Sequence, residues 1–193
     1  MINRLIVIST LILASSLAVN WILDDSQSPE LEAAQNDPDL YMLNASINQF
    51  STEGVLTHTL SAARFTHFPL TDLTTLKSPR IELGSENTAN PWRIAASEGR
   101  LLSASLYREE IVELWNNVLA NQSSDSREFV QIQTNSLTVY PEREYAETDE
   151  KVYIDNQTGR TTAAGMKAFL DTGKFQFFSD GEERVITIFL PEA

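Results

Sequence analysis

The sequence predicts an all-β sandwich or roll carried behind one apolar segment. Three observations carry that expectation. Short apolar runs of β type recur between turn signals from Leu40 onward. The apolar parity of one of the longest runs flips partway along it. The single long uncharged stretch stands apart at the amino terminus.

That amino-terminal stretch, "LIVISTLILASSLAVNWIL" from Leu5 to Leu23, holds no charged residue. As a helix it spans about 28 Å against a hydrocarbon core of roughly 30 Å, the length of one membrane crossing. The competing reading is a secretory signal cut near Ser16-Leu17-Ala18. Against it, apolar residues continue through Trp21-Ile22-Leu23, beyond the roughly 7–15 residues of such a segment, and Trp21 suits a membrane interface. Arg4 precedes the run, whereas Asp24, Asp25, Glu30 and Glu32 follow it with no Lys or Arg until Arg64. The positive-inside rule then leaves the bulk of the chain outside the cytoplasm, in a bacterium the periplasm. The expected division is a cytoplasmic end at residues 1–4, an anchor at 5–23, an acidic proline-containing linker at 24–39 and a β domain at 40–193.

Within the domain, "VLTHTLSAARF" follows the turn signal Glu53-Gly54 and alternates loosely, as a strand does. "PWRIAAS" places Trp92, Ile94 and Ala96 on one face. In "EFVQIQTNSLTVY", Val130 and Ile132 share one parity and Leu137 and Val139 the other, so the strand breaks or bulges near Thr134-Asn135. "EEIVELWNNVLA" has helical spacing at Ile111, Leu114, Trp115, Val118 and Leu119. It nevertheless resembles "KVYIDNQT" forty residues on, a strand running into an Asn-containing turn, and is expected to be a strand. "ERVITIFL" is apolar on both faces apart from one Thr, which suits a strand covered on both sides, with a partner as a candidate for the cover.

Composition narrows the function. A net charge of −13 argues against binding a phosphate backbone, and the absence of cysteine removes disulfides, thiolate metal sites and cysteine nucleophiles. Gly173-Lys174 lacks both the spacing and the following Ser or Thr of a phosphate loop. Asp171-Thr172-Gly173 resembles half of an aspartic-protease dyad, but no second triplet exists to share a proton. A turn between "MKAFL" and "KFQFF" is the plainer reading. His58 and His67, nine apart, fall on opposite faces of a continuous strand and would not share a metal. No catalytic residue, metal or cofactor is expected, and the chain is not expected to be an enzyme.

The single amino-terminal span followed in order by "STEGVLTHTLSAARF", "LKSPRIEL", "PWRIAASEGRL", "VELWNNV", "LTVYPEREYAET" and "TTAAGMKAFL" resembles the lipopolysaccharide-export family LptC. The resemblance covers nearly the whole chain. It implies a single-pass inner-membrane protein whose periplasmic domain is an elongated, incompletely closed antiparallel β-jellyroll. Such a protein receives lipopolysaccharide from the LptB/LptF/LptG transporter and passes it to LptA. An apolar groove is required, because burying one methylene is worth about 0.8 kcal/mol and an acyl chain of a dozen carbons therefore about 10 kcal/mol. Candidate groove residues are Phe65, Phe68, Leu76, Ile81, Trp92, Ile94, Val139, Met166, Phe175 and Phe177. The edge toward the transporter is expected at Ala45, Ile47 and Phe50, with Gly54 shaping the turn that follows. The edge toward LptA is expected at Val185, Ile186, Ile188 and Leu190. A homodimer of the soluble domain is also open, and the alternative to lipid carriage is a membrane-anchored scaffold or assembly factor with no groove.

Overall fold

The structure, a computed structural model, describes residues 36–84, 90–123, 129–182 and 184–190. The segments expected at 1–4 and 5–23, and most of 24–39, lie outside the described residues. Fourteen strands, all paired antiparallel, make up the described fold: β1 Leu40–Phe50, β2 Leu56–Phe68, β3 Leu73–Lys77, β4 Arg80–Leu83, β5 Trp92–Ala95, β6 Glu98–Leu102, β7 Ile111–Ser123, β8 Phe129–Tyr140, β9 Tyr145–Thr148, β10 Val152–Asn156, β11 Gly159–Ala163, β12 Gly165–Phe169, β13 Lys174–Phe178 and β14 Ile186–Phe189. A single 3-10 turn, Pro141–Arg143, separates β8 from β9.

The architecture follows from how the long strands change partners. The first half of β2, His58–Ser61, pairs with β4, and its second half, Arg64–Phe68, with β3. Likewise β7 pairs with β6 over Ile111–Trp115 and with β5 over 119–121, and β8 pairs with β10 over 130–134 and with β9 over 138–140. Each long strand therefore bends at a corner and serves two sheets. The first sheet runs β1, β2, β3, β6, β7, β8, β9, β12, β13; the second runs β1, β2, β4, β5, β7, β8, β10, β11, β14. The sheet does not close into a barrel, since β1 at one end and β13 and β14 at the other each have one partner among the described residues. The all-β, open roll expected from the sequence is what forms.

Local chemistry makes the corner. Asn44, Ser78, Asn116 and Asn117 lie on it with φ of 48°, 50°, 63° and 59°. A left-handed backbone costs an ordinary residue about 1–2 kcal/mol and is tolerated best by Asn and Gly. Asn116 and Asn117 form a bulge between Trp115 and Val118, and the polar backbone they free is satisfied next door. Ser97 N–H donates to the Asn116 carbonyl at 2.9 Å and Ser78 N–H to the Ser97 carbonyl at 2.8 Å. Pro79 turns β3 into β4 without needing a donor, and its carbonyl accepts from Ala96 N–H at 3.2 Å. Asn117→Val is expected to destabilise the domain by about 1–3 kcal/mol in chemical denaturation, because a β-branched residue resists the left-handed region the corner needs. Loss well under 1 kcal/mol would show that the corner can relax.

Between the sheets lies one apolar cluster. From the first sheet come Phe65, Leu76, Val112, Leu114, Leu137, Val139 and Met166, and from the second Leu60, Ile81, Ile94, Val118, Ile132 and Val152, all essentially removed from solvent. Each such side chain contributes about 1.5–3 kcal/mol by burial. In β8 the inward residues are Ile132 and Thr134 before the corner and Leu137 and Val139 after it, so the expected parity switch occurs at Asn135-Ser136.

Candidate lipid groove and docking edges

All the proposed groove residues but Phe68 gather on the inner faces of the two sheets; Phe68 alternates with the inward Phe65 and His67 and so stands on the outer face of β2. Phe65, Leu76, Ile81, Trp92, Ile94, Val139 and Met166 belong to the buried cluster, and Phe175 and Phe177 pack half-buried against it. Phe68 is half-buried at the outer end of β2. Met166 and Phe177 are cross-strand neighbours, and the rings of Phe175 and Phe177 stack 6.4 Å apart. In this conformation side chains of the chain itself occupy the space between the sheets.

Opposite the corner, the outer ends of the sheets touch through a few polar and aromatic contacts. His58, buried on the second sheet, has its Nε2 2.7 Å from Glu110 Oε1 at the root of β7 on the first. Trp92 Nε1 donates to the Leu170 carbonyl at 3.3 Å, and its ring meets Phe175 edge-on at 6.3 Å. These contacts form a lip that must part before anything enters between the sheets by this route.

The histidines show what the corner does to a parity argument. Spacing alone puts them on opposite faces, but parity shifts at Ala63-Arg64: His58 follows the inward face of Leu60 and Ala62, while His67 follows Phe65. His67 Nδ1 lies 3.2 Å from Thr74 Oγ1, a buried hydroxyl on the same face. The partnership of His58 with Glu110, fifty-two positions away, carries no local signal in the sequence.

The turn from β8 to β9 supplies a rigid aromatic cluster beside the lip. Arg143 sits over the rings of Tyr140 and Tyr145 at 5.2 and 5.0 Å, and the Tyr145 ring lies 5.3 Å from Phe169. Tyr145 OH donates to Glu147 at 2.7 Å and Tyr140 OH to its other oxygen at 3.3 Å. Burial first, and then the Glu147 carboxylate, push both phenol pKa values above the ordinary tyrosine range, so both hydroxyls stay protonated donors. Asp171 and Gly173 occupy the hairpin turn between β12 and β13, with Gly173 at φ +65°, as a turn reading requires.

The two expected docking segments both fall on edges. β1 pairs only with β2 among the described residues; Ala45 and Ile47 pack against the cluster, and Phe50 is exposed. Gly54 closes the β1–β2 turn with its N–H on the Ser51 carbonyl at 3.0 Å, and its φ of +80° rather than crowding demands glycine, since no atom lies within 4 Å of a Cβ there. β14 likewise pairs only with β11 among the described residues, leaving Val185, Ile186, Ile188 and Leu190 exposed. A cleft of about 470 Å³ beside it is lined by Phe129, Ile188 and Leu190 around the Asp155–Arg160 ion pair. An apolar strand with an unpaired backbone edge is the arrangement that strand addition uses.

A family model described as lipopolysaccharide-assembly, LptC-related, matches residues 6–181. Comparison with curated protein sequences gives no match. Among solved structures, the fold is similar to LptH from Pseudomonas aeruginosa, described as the LptA-homologous periplasmic component of the lipopolysaccharide transport device. The TM-score is 0.56 at 7% identity, covering 69% of this chain and 95% of that one.

Proposed function

The chain belongs to the LptC family of lipopolysaccharide-assembly proteins, a component of envelope lipopolysaccharide transport and not a member of an enzyme family, and we propose that it carries lipopolysaccharide between its two sheets. In this reading residues 1–4 are cytoplasmic, 5–23 anchor the chain in the inner membrane, 24–39 link it and 40–193 form the periplasmic carrier. The observation that supports carriage most is a continuous apolar cluster between sheets that never close into a barrel, with contact across the lip made by the His58–Glu110 and Trp92–Leu170 pairs. Acyl chains replace side-chain contacts inside, while sugars and phosphates remain in water.

The free edge of β1, through Ala45, Ile47 and Phe50, takes the periplasmic part of the LptB/LptF/LptG transporter. The free edge of β14, through Ile186 and Ile188, takes LptA. Strand addition at each end satisfies the unpaired backbone groups and makes the apolar interior continuous from one protein to the next. Energy for transport comes from the transporter; this chain supplies the passage. Photocrosslinking residues placed at Leu76 and Phe177 are expected to capture lipopolysaccharide in cells, and crosslinkers at Ile188 to capture LptA. Capture of LptA without lipopolysaccharide at either interior position would sink carriage and leave a scaffold.

A further inference from the structure

The outer end of the first sheet is also the end at which the domain begins. Leu40 pairs with His67, Leu73 with Leu102 and Val112 with Val139, so the start of β1 and the β2–β3, β6–β7 and β8–β9 connections share one end. Exposed apolar residues collect there. Leu106 and Tyr107, at the tip of the β6–β7 connection, are 94% and 96% exposed, and Leu70 in the neighbouring β2–β3 turn is exposed as well.

This tip is braced. Ser105 and Arg108 bond to each other backbone to backbone, at 2.7 and 3.5 Å. The Arg108 guanidinium donates to the Ser103 carbonyl at 3.2 and 2.8 Å and to Asp72 at 3.2 Å, tying the tip to the Leu70 turn. A loop held this firmly around two fully exposed apolar side chains presents them rather than losing them to disorder, and gathered apolar surface of this kind marks a docking site.

Charge and chain length select the occupant. Although the chain carries −13, the acids nearest the tip have cationic or hydrogen-bonding partners: Asp72 with Arg108, Glu109 with Arg143, Glu110 with His58. Glu142, Glu144 and Asp171 on the neighbouring turns add negative charge, which disfavours an anionic surface and leaves a zwitterionic one acceptable. The apolar run ends at Leu23, and residues 24–39 as a coil reach roughly 20–24 Å. From β1 to β6 is three strand spacings, about 14 Å. A bilayer crossed by Leu5–Leu23 is therefore within reach of Leu106 and Tyr107, and Tyr is a residue that settles at the membrane interface.

We propose that the Leu106-Tyr107 tip, with Leu70 beside it, is a membrane-docking surface that seats in the interfacial layer of the bilayer the anchor crosses. The inference rests on the anchor reading and adds to it a second, reversible contact. Docked in this way, the outer ends of the sheets face the leaflet from which lipid is taken.

The chain has no cysteine, so Ala104→Cys gives a unique labelling position that leaves the tip intact, and Asn135→Cys at the corner gives a reference. Each full-length variant, labelled with the fluorophore NBD, is placed in phosphatidylcholine vesicles containing shallow doxyl-labelled lipid. Quenching at position 104 is expected to exceed that at 135 by about threefold or more, and to fall to the reference level in L106S/Y107S. Equal quenching at the two positions, or quenching indifferent to L106S/Y107S, overturns the docking surface. So does quenching that appears only when transporter protein is added, since the tip would then meet protein. Vesicle flotation separates the premises: a chain that does not float with the vesicles overturns the anchor and this proposal together, whereas one that floats without preferential quenching overturns docking alone.

Discussion

Gly159→Ala is expected to release β14 from the second sheet while the core stays folded. A Cβ at this position would lie 2.0 Å from the Ile188 carbonyl oxygen and 3.0 Å from the Ile188 carbon and Phe189 Cα, all backbone atoms with no rotamer to escape into. The β10–β11 turn is held in place: the Asn156 carboxamide oxygen accepts from both Thr158 and Gly159 N–H at 3.0 Å. β14 is the weaker party, with one partner strand and exposed side chains. Amide exchange at Ile186 and Ile188, whose N–H groups face β11, should rise by at least about tenfold, and copurification with LptA should fall by a similar factor, while global unfolding shifts by under about 1 kcal/mol. Thr161→Ala, two positions along the same strand, is the control and should leave docking in place. Full docking by Gly159→Ala would remove β14 as the edge toward LptA.

Phe65→Ala should show whether the interior is a passage or only a core. Phe65 is 1% exposed and faces the cluster, so truncation is expected to cost about 3–5 kcal/mol of unfolding free energy in the lipid-free domain. Lipid carriage adds a second expectation. A vacated ring leaves room for acyl methylenes, so saturating lipopolysaccharide should stabilise Phe65→Ala more than the parent, by about 1–2 kcal/mol. Equal stabilisation, or none in either protein, would mean that the space between the sheets takes no lipid.

Much of the roll was legible before any coordinates, because strands with one buried face announce themselves through parity. The switch within 129–140 locates the corner on β8, whereas "ERVITIFL", expected to be covered on both sides, is an edge strand exposed on both faces, because apolar parity does not distinguish cover by the chain itself from cover by another molecule. The segment around Trp115 carried two signals. Its helical spacing at Ile111, Leu114, Trp115, Val118 and Leu119 comes from residues on both faces of β7: Leu114 and Val118 point inward, while Trp115 lies outside with its indole N–H donating to Glu98 at 2.9 Å. The extra residue of the Asn116-Asn117 bulge completes the imitation of a helical period. The lip was not legible. His58 and Glu110, or Trp92 and Leu170, meet only because the sheets fold onto each other, and no spacing along the chain encodes such a meeting. Nor does composition separate an apolar residue that lines a passage from one that fills a core, since both are the same side chain on the same face.

The two ends of this roll are unlike. At one, β1 runs unbroken across both sheets as a single rail; at the other, β13 and β14 finish the sheets separately, as two prongs. A rail fits a rail or a fork differently, so modules of this build join in one sense only, and a conduit assembled from them has a built-in direction before any energy is spent.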